Sequence, residues 1–256
     1  GNSRDILEQL VREGSRSLMS YRDLAVKSGK TIRELTADKD ALIADGRIVE
    51  LTPDLGIHSD FLRLVRETGT GILQEYHRLN PVSRGMAKAE FRKRLSDKIR
   101  IRDDRGTELL IQELRKEGSI KDVDGMVALA SFRVEYSREH LEILQRLEKR
   151  YRDYGYNVPE LDEAIAEEKD KKLARQMAEA LSADGKLKKL NNRYFLHSDH
   201  WNSAMKAFWG HMETKGSITL AEYRDLLGTS RKYAVMILEH LDEEKITRLE
   251  GDVRIL

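Results

Sequence analysis

No cysteine occurs among the 256 residues, which excludes disulfides and thiolate metal sites. No apolar run approaches the roughly 20 residues that a membrane span needs. The opening stretch GNSRDILEQL lacks the apolar core of a signal peptide, so the cytoplasm is the expected location. Only three prolines interrupt the chain, Pro53, Pro81 and Pro159, each where a connection between elements is expected. There is no excess of one charge either: 46 Lys and Arg stand against 45 Asp and Glu. A nucleic-acid site therefore has to arise from local clustering and not from bulk charge. With 36% charged and 39% hydrophobic residues, the chain is polar and short of material for one large core.

Motifs for catalysis are missing as well. No G-x-x-x-x-G-K-[ST] loop is present to cradle a nucleotide's phosphates, and no nucleophile elbow appears. Paired carboxylates such as Glu167-Glu168 and Glu243-Glu244 signal exposure in so charged a chain. The seven histidines are scattered. His197 and His200 stand three apart beside Asp199 at an expected strand end, without a third helical ligand, so no metal site is expected.

What the chain does have is a repeat. ALIADGRIVEL (41–51), ELRKEGSIKDV (113–123), ALSADGKLKKL (180–190) and HLDEEKITRL (240–249) align. Each reads as a helix end, a break and an alternating strand. Gly46, Gly118 and Gly185 stand where a helix C-cap wants a left-handed residue; the fourth copy has Glu244 there. A second apolar strand follows each: LGIHS, GMVALA, RYFLHS and DVRIL. Helices expected over 61–79 and 137–154 open the second and third copies.

The last copy is the clearest. A helix from Asn202 to Met212 carries Met205, Phe208, Trp209 and Met212 on one stripe. Ser217 or Thr219 caps a second helix, Gly228 turns the chain, and Thr229 or Ser230 caps a third. A hairpin around Glu250-Gly251-Asp252 closes the unit. Helix, helix-turn-helix and hairpin is the plan of a winged helix. The expected class is mainly α with small β-hairpins (α+β), as four tandem winged-helix domains at 1–59, 60–132, 133–200 and 201–256. Units of 60 to 70 residues are near the lower limit for a self-standing core, so neighbours are expected to support one another.

The third helix of this copy begins with Arg231 and Lys232, at the positive end of its own dipole. Cations there cost free energy unless an anion stands before them.

The stretch GSITLAEYRDLLGTSRKYAVMILEHLDEEKITRLEGDVRIL (216–256) resembles the end of bacterial selenocysteine-specific elongation factors, the SelB family. YHRLNPVSRGMAKAEFRKRL (76–95) and RYFLHSDHW (193–201) resemble earlier parts of the same extension. The family's full protein is a translation GTPase with four winged-helix domains at its C-terminus, and this chain resembles that extension alone. The resemblance implies a non-enzymatic fragment whose last domain binds an mRNA hairpin, the selenocysteine insertion element, at an in-frame UGA. No cofactor is expected in the fragment; GTP and magnesium belong to the missing GTPase domain. The implied partners are the mRNA hairpin, the ribosome and, through the missing N-terminal part, selenocysteinyl-tRNA. A monomer without membrane attachment is expected.

On this reading the anion at the third helix is an RNA phosphate, met by free backbone N–H groups. The candidate RNA-binding residues are Thr229, Ser230, Arg231, Lys232, Tyr233, Arg248, Gly251, Asp252 and Arg254. Each has a structural reading too. Arg231 and Lys232 suit a solvated helix start. Tyr233 suits core packing, and Arg248 and Arg254 suit ion pairs with Glu250 or Asp252. Thr229 and Ser230 suit a turn and cap, and Gly251 and Asp252 a hairpin turn. The family often has Thr-Arg-Arg on the first wing strand and a neutral residue before Gly-Asp. Here Thr247-Arg248-Leu249-Glu250 loses one cation and gains one anion. Over 201–256 there are eight Lys/Arg and nine Asp/Glu, so binding rests on placement. Elsewhere, FRKRLSDKIRIR (91–102) sets six cations against one acid. That run, KDKKLAR (169–175) and KLKKL (186–190) read as solvated faces or as contacts with ribosomal or transfer RNA. Two rival functions stay open: a DNA-binding regulator, which the acidic later turns of the third helix disfavour, and a protein-interaction scaffold.

Overall fold

The computed structural model describes residues 2–256 and divides into two compact units, one up to Val134 and one from Glu135 onward. In the first unit, helices α1 (Ser3–Gly14), α2 (Tyr21–Ser28) and α3 (Ile32–Ala44) lead into the hairpin β1 (Ile48–Thr52) and β2 (Leu55–His58). The order then recurs: α4 (Ser59–Leu79), strand β3 (Met86–Ala87), α5 (Lys88–Ile99), α6 (Asp104–Lys116), and the hairpin β4 (Ile120–Val123) and β5 (Met126–Leu129). The second unit has α7 (Arg138–Tyr154), the short α8 (Leu161–Ala164), α9 (Lys171–Ala183), and the hairpin β6 (Leu187–Lys189) and β7 (Phe195–His197). It ends with α10 (Ser198–Lys215), β8 (Ile218–Thr219), α11 (Leu220–Leu227), α12 (Arg231–Glu243), and the hairpin β9 (Arg248–Glu250) and β10 (Val253–Ile255). All strand pairs are antiparallel, and β3 and β8 each add a third strand, giving the orders β3-β5-β4 and β8-β10-β9.

Each repeat ends its last helix in the same way. Gly46, Gly118 and Gly185 take positive φ values of 73°, 86° and 75°, as the sequence predicts. In the fourth copy Glu244 is an ordinary C-cap at φ −75°. The left-handed residue is Lys245, at φ 58°. It, and not Glu244, stands where the other copies have glycine.

Within each unit the chain passes from one repeat to the next without a linker. In LGIHSD the His58 ring caps α4, its Nδ1 accepting from the Asp60 N–H at 3.0 Å. In YFLHSD His197 caps α10 in the same way, accepting from Asp199 N–H at 3.1 Å. So α10 begins at Ser198 and not near Asn202. Its inward ridge is Ala204, Phe208 and Met212, spaced four apart. Trp209, one step of about 100° further round, is 45% exposed and does not share the core stripe.

In the first unit one apolar cluster gathers Leu7, Val11, Leu24, Leu35 and Ile48, and another runs from Ile57 through Phe91 and Leu114 to Val127. Val49 and Leu51 of β1 pack against the second cluster, so both repeats supply it. In the second unit Tyr151, Phe195, Phe208 and Tyr223 are fully buried. Burying an aromatic such as Phe208 is worth about 1.5–3 kcal/mol. Among the described residues no helix is long and apolar enough to cross a membrane.

Candidate nucleic-acid interface

The site is built by the turn between α11 and α12. A capping box starts α11: Glu222 N–H donates to Thr219 Oγ1 at 3.1 Å, and Thr219 N–H donates to Glu222 Oε1 at 3.0 Å. Gly228 ends it in the left-handed region at φ 63°. Three residues later, at Arg231, α12 begins without the fittings that most other helices here have. Ser230 occupies its N-cap but makes no side-chain capping bond, and the first turn has no acid. The unpaired N–H groups of that turn therefore lack a side-chain acceptor. The Thr229 hydroxyl is buried beside them without a partner.

Cations stand at this open end. Arg231 is exposed and makes no ion pair among the described residues. The Lys232 ammonium lies 5.4 Å from the ring centre of Tyr194 and 5.4 Å from that of Tyr233. Its pKa is raised, first by a hydrogen bond with Tyr194, so it stays charged. The Arg193 guanidinium is 5.9 Å from the Tyr194 ring. The Tyr233 hydroxyl donates to the Val158 carbonyl at 3.0 Å, which ties the start of α12 to the preceding repeat. A positive helix end with two cations and no anion is electrostatically disfavoured, and an anionic ligand reverses that sign.

The wing residues are arranged differently. Arg248 is 69% exposed and pairs with Glu250 at 3.2 Å, on the same face of β9. Arg254 is buried. Its guanidinium grips Asp242 at 3.0 Å, and the Thr247 hydroxyl donates to the same carboxylate at 2.6 Å. Arg254 thus has neither Glu250 nor Asp252 as its partner. Glu250 lies opposite Val253, so the pleat turns Glu250 and Arg254 to opposite faces. Asp242 stands eleven positions beyond Arg231, about 16 Å along the helix. Arg254 therefore fastens the wing to the far end of α12 and is not grouped with Arg231 and Lys232. Gly251 makes the turn at φ 64°, and Asp252 is exposed beside it. Among the described residues no ion pair joins these wing residues to Arg231 or Lys232. Arg193, Tyr194 and Val158 frame Lys232 and Tyr233, and the sequence does not single them out. They lie far away in the chain, and only the RYFLHS strand motif marks their neighbourhood.

The histidine pair has structural duties: His197 caps α10, and His200 Nε2 lies 2.9 Å from the Arg152 carbonyl. No group of three metal-capable side chains occurs among the described residues.

In the second and fourth repeats three helices, a short strand before the second, and a closing hairpin define the class: these are winged-helix domains. Residues 71–129 and 210–256 each match a family model described as elongation factor SelB, winged helix. Over these two segments the resemblance read from the sequence is borne out. A selenocysteine-specific elongation factor of Desulfomicrobium baculatum is 25% identical over 256 aligned residues, covering 94% of this chain and 40% of the relative. One of Escherichia coli strain K12 is 26% identical over 148 residues, covering 58% of this chain and 24% of the relative. The chain thus spans well under half the length of the curated relatives it matches. Among solved structures, the mRNA-binding domain of E. coli SelB in complex with SECIS RNA aligns over 47% of this chain and 98% of its own, at 23% identity and a TM-score of 0.39. A bacterial selenocysteine-specific elongation factor EF-Sec aligns over 82% of this chain and 32% of its own, at 16% identity and a TM-score of 0.40.

Proposed function

We propose that this chain is the RNA-tethering region of a selenocysteine-specific elongation factor, built as four tandem winged-helix domains. The last domain holds the selenocysteine insertion hairpin of an mRNA. The others space it from a GTPase body that carries GTP, magnesium and selenocysteinyl-tRNA to the ribosome. The region is monomeric, works in the cytoplasm and performs no chemistry of its own.

One observation carries this reading: α12 starts with free N–H groups, no side-chain cap, no acid and two cations, inside residues matched by a SelB winged-helix model. An RNA phosphate there accepts from the helix start and neutralises Arg231 and Lys232. A-form RNA closes its deep major groove to side chains, so loop phosphates and splayed bases are the targets. The acidic later turns of α12, with Glu239, Asp242 and Glu243, fit a helix that meets RNA by its end and does not lie along a groove. Arg248 and the Gly251-Asp252 turn flank the contact on this reading. Arg254 supports it from inside the wing.

Fluorescence anisotropy at two salt concentrations tests this. The probes are the insertion hairpin from the source organism, a loop-scrambled hairpin and a DNA duplex. Tighter binding to the native hairpin than to either other probe is expected, with Arg231→Ala losing about 1–3 kcal/mol on the native hairpin, the scale of a hydrogen bond to a charged group. Equal binding to all three probes reduces the site to generic charge. Binding to none makes a protein-interaction scaffold the better reading.

A further inference from the structure

Most of the six cations of 91–102 lack an acidic partner. Arg94 pairs with Glu90 at 2.6 Å. Just outside the run, Lys88 pairs with Asp122 at 3.3 Å. Yet Arg92, Lys93, Lys98, Arg100 and Arg102 form no ion pair among the described residues. Elsewhere single cations are paired, Arg175 on Asp162 at 2.6 Å, Lys189 on Glu179 at 2.7 Å and Arg115 on Asp122 at 3.0 Å, while Lys169, Lys171, Lys172, Lys186 and Lys188 form no ion pair among the described residues either.

Four of the five unpaired cations share one concavity. Arg92, Lys93, Arg100 and Arg102 line a groove of about 670 Å³ at the turn from α5 to α6, with Asp97 and Asp104 at its edge. Arg92 and Ser96 lie on one helical ridge and Arg100 continues it, a row about 12 Å long. Four cations against two acids leave the lining with a net charge of +2.

The backbone points the same way. The turn between second and third helices is made by a left-handed residue in three repeats. In the first it is Gly29, at φ 71°, and in the last Gly228, at φ 63°. Here it is Arg100, at φ 57°. A residue with a Cβ is disfavoured in that region, so this turn gives up stability to place a guanidinium on the groove. The Arg100 backbone N–H donates to the Ser96 carbonyl and Arg16 covers the Ile99 carbonyl at 2.5 Å, so the helix end is satisfied without the Arg100 side chain.

We propose that this groove binds the phosphodiester backbone of a structured RNA, as a second RNA contact separate from the start of α12. The site works by charge and shape and does not read bases. Asp103 caps α6, its carboxylate accepting from the Arg105 N–H at 3.0 Å, and Asp104 follows in the first turn. The start of α6 is thus closed to anions, and its acids oppose entry into a duplex groove. The ligand therefore lies along the α5 ridge and meets the cations from outside. RNA is favoured over DNA because residues 71–129, which contain the groove, match a domain of a translation factor.

The test uses the full chain and a labelled RNA duplex of about 16 base pairs, unrelated in sequence to any insertion hairpin, beside a DNA duplex of the same sequence. The RNA should bind with an affinity that falls with salt. The double variant Arg92→Ser, Lys93→Ser should weaken it about tenfold and reduce the log–log salt slope by roughly 0.7–0.9 for each phosphate no longer neutralised. Arg100→Gly should weaken RNA binding while raising the melting temperature, an outcome that misfolding cannot mimic. Arg231→Ala should leave duplex affinity unchanged, which separates this groove from the hairpin site. Unchanged RNA affinity in both groove variants overturns the proposal. So does an equal loss in Arg231→Ala, or DNA binding as tight as RNA.

Discussion

Residues whose role depends on local sequence are legible without the structure. Arg231 and Lys232 are at a helix start because Gly228 and Ser230 precede them, and that arithmetic needs no tertiary fold. Arg254 is not legible in this way. Its partner, Asp242, is set by the pleat of β10 and the end of α12, neither of which spacing alone reveals. The histidines show the same limit and lead to a prediction. His58 Nδ1 and His77 Nε2 are both acceptors, from the Asp60 and Leu129 N–H groups at 3.0 and 3.2 Å. Both pKa values are lowered, first by burial, then by Arg12 for His58 and Lys121 for His77. Glu8, whose carboxylate lies 3.6 Å from His58 Nε2, and Asp60 offset part of this for His58. The unfolded chain titrates near 6.5. It therefore binds protons before the folded chain does as pH falls. The stability from these rings is full above about pH 6.5 and is lost as pH falls through the lower folded values. The denaturation midpoint of the first unit should drop between pH 7.5 and 5.5. His58→Asn, which keeps a capping acceptor without a proton to gain, should flatten the dependence. An NMR titration placing both rings at or above the ordinary value would contradict this.

At the level of elements, the hairpins and helix ends are readable because glycine marks a left-handed cap with a definite steric reason. The two-residue strands β3 and β8 are not, since two residues carry no alternation. Nor is the four-residue α8. The left-handed residue of the fourth copy is Lys245 and not Glu244, in register with the glycines of the other copies, and no glycine flags it. That exchange has a consequence for stability. Lys245 sits at φ 58° where Gly46, Gly118 and Gly185 sit in the other copies, and it is exposed, so its side chain has no core to lose. Lys245→Gly relieves the Cβ clash of the left-handed region, offset in part by the greater freedom glycine has when unfolded. A net gain of about 0.5–1 kcal/mol is expected. Urea denaturation of the second unit should show it as a higher midpoint with an unchanged slope. A lower midpoint would mean that Lys245 makes an interaction worth more than its strain.

For the whole molecule, the repeat length implies that neighbouring repeats lean on one another, and the second unit shows how. The last repeat reaches back to the third through the Tyr233 hydroxyl on the Val158 carbonyl and through His240 Nδ1, 3.1 Å from the Leu190 carbonyl. The Tyr156 hydroxyl, in turn, donates to the His200 carbonyl at 3.3 Å. Two of these bonds bear on the start of α12 and on its buried face, so the third repeat positions the cations that would meet RNA. Lys232 depends on it most directly, because Tyr194 belongs to β7's approach and not to the last repeat. A fragment of residues 135–256 should therefore melt in one transition and bind the hairpin as tightly as the full chain. A fragment of residues 201–256 should melt at a lower temperature and bind more weakly, since it lacks Tyr194, Val158 and Leu190. Tyr194→Phe in the longer fragment keeps the ring under Lys232 and should bind nearly as well, whereas Tyr194→Ala should approach the short fragment. If residues 201–256 alone match the longer fragment in both melting and affinity, the third repeat is a spacer only, and the framing of Lys232 by Tyr194 has no part in RNA binding.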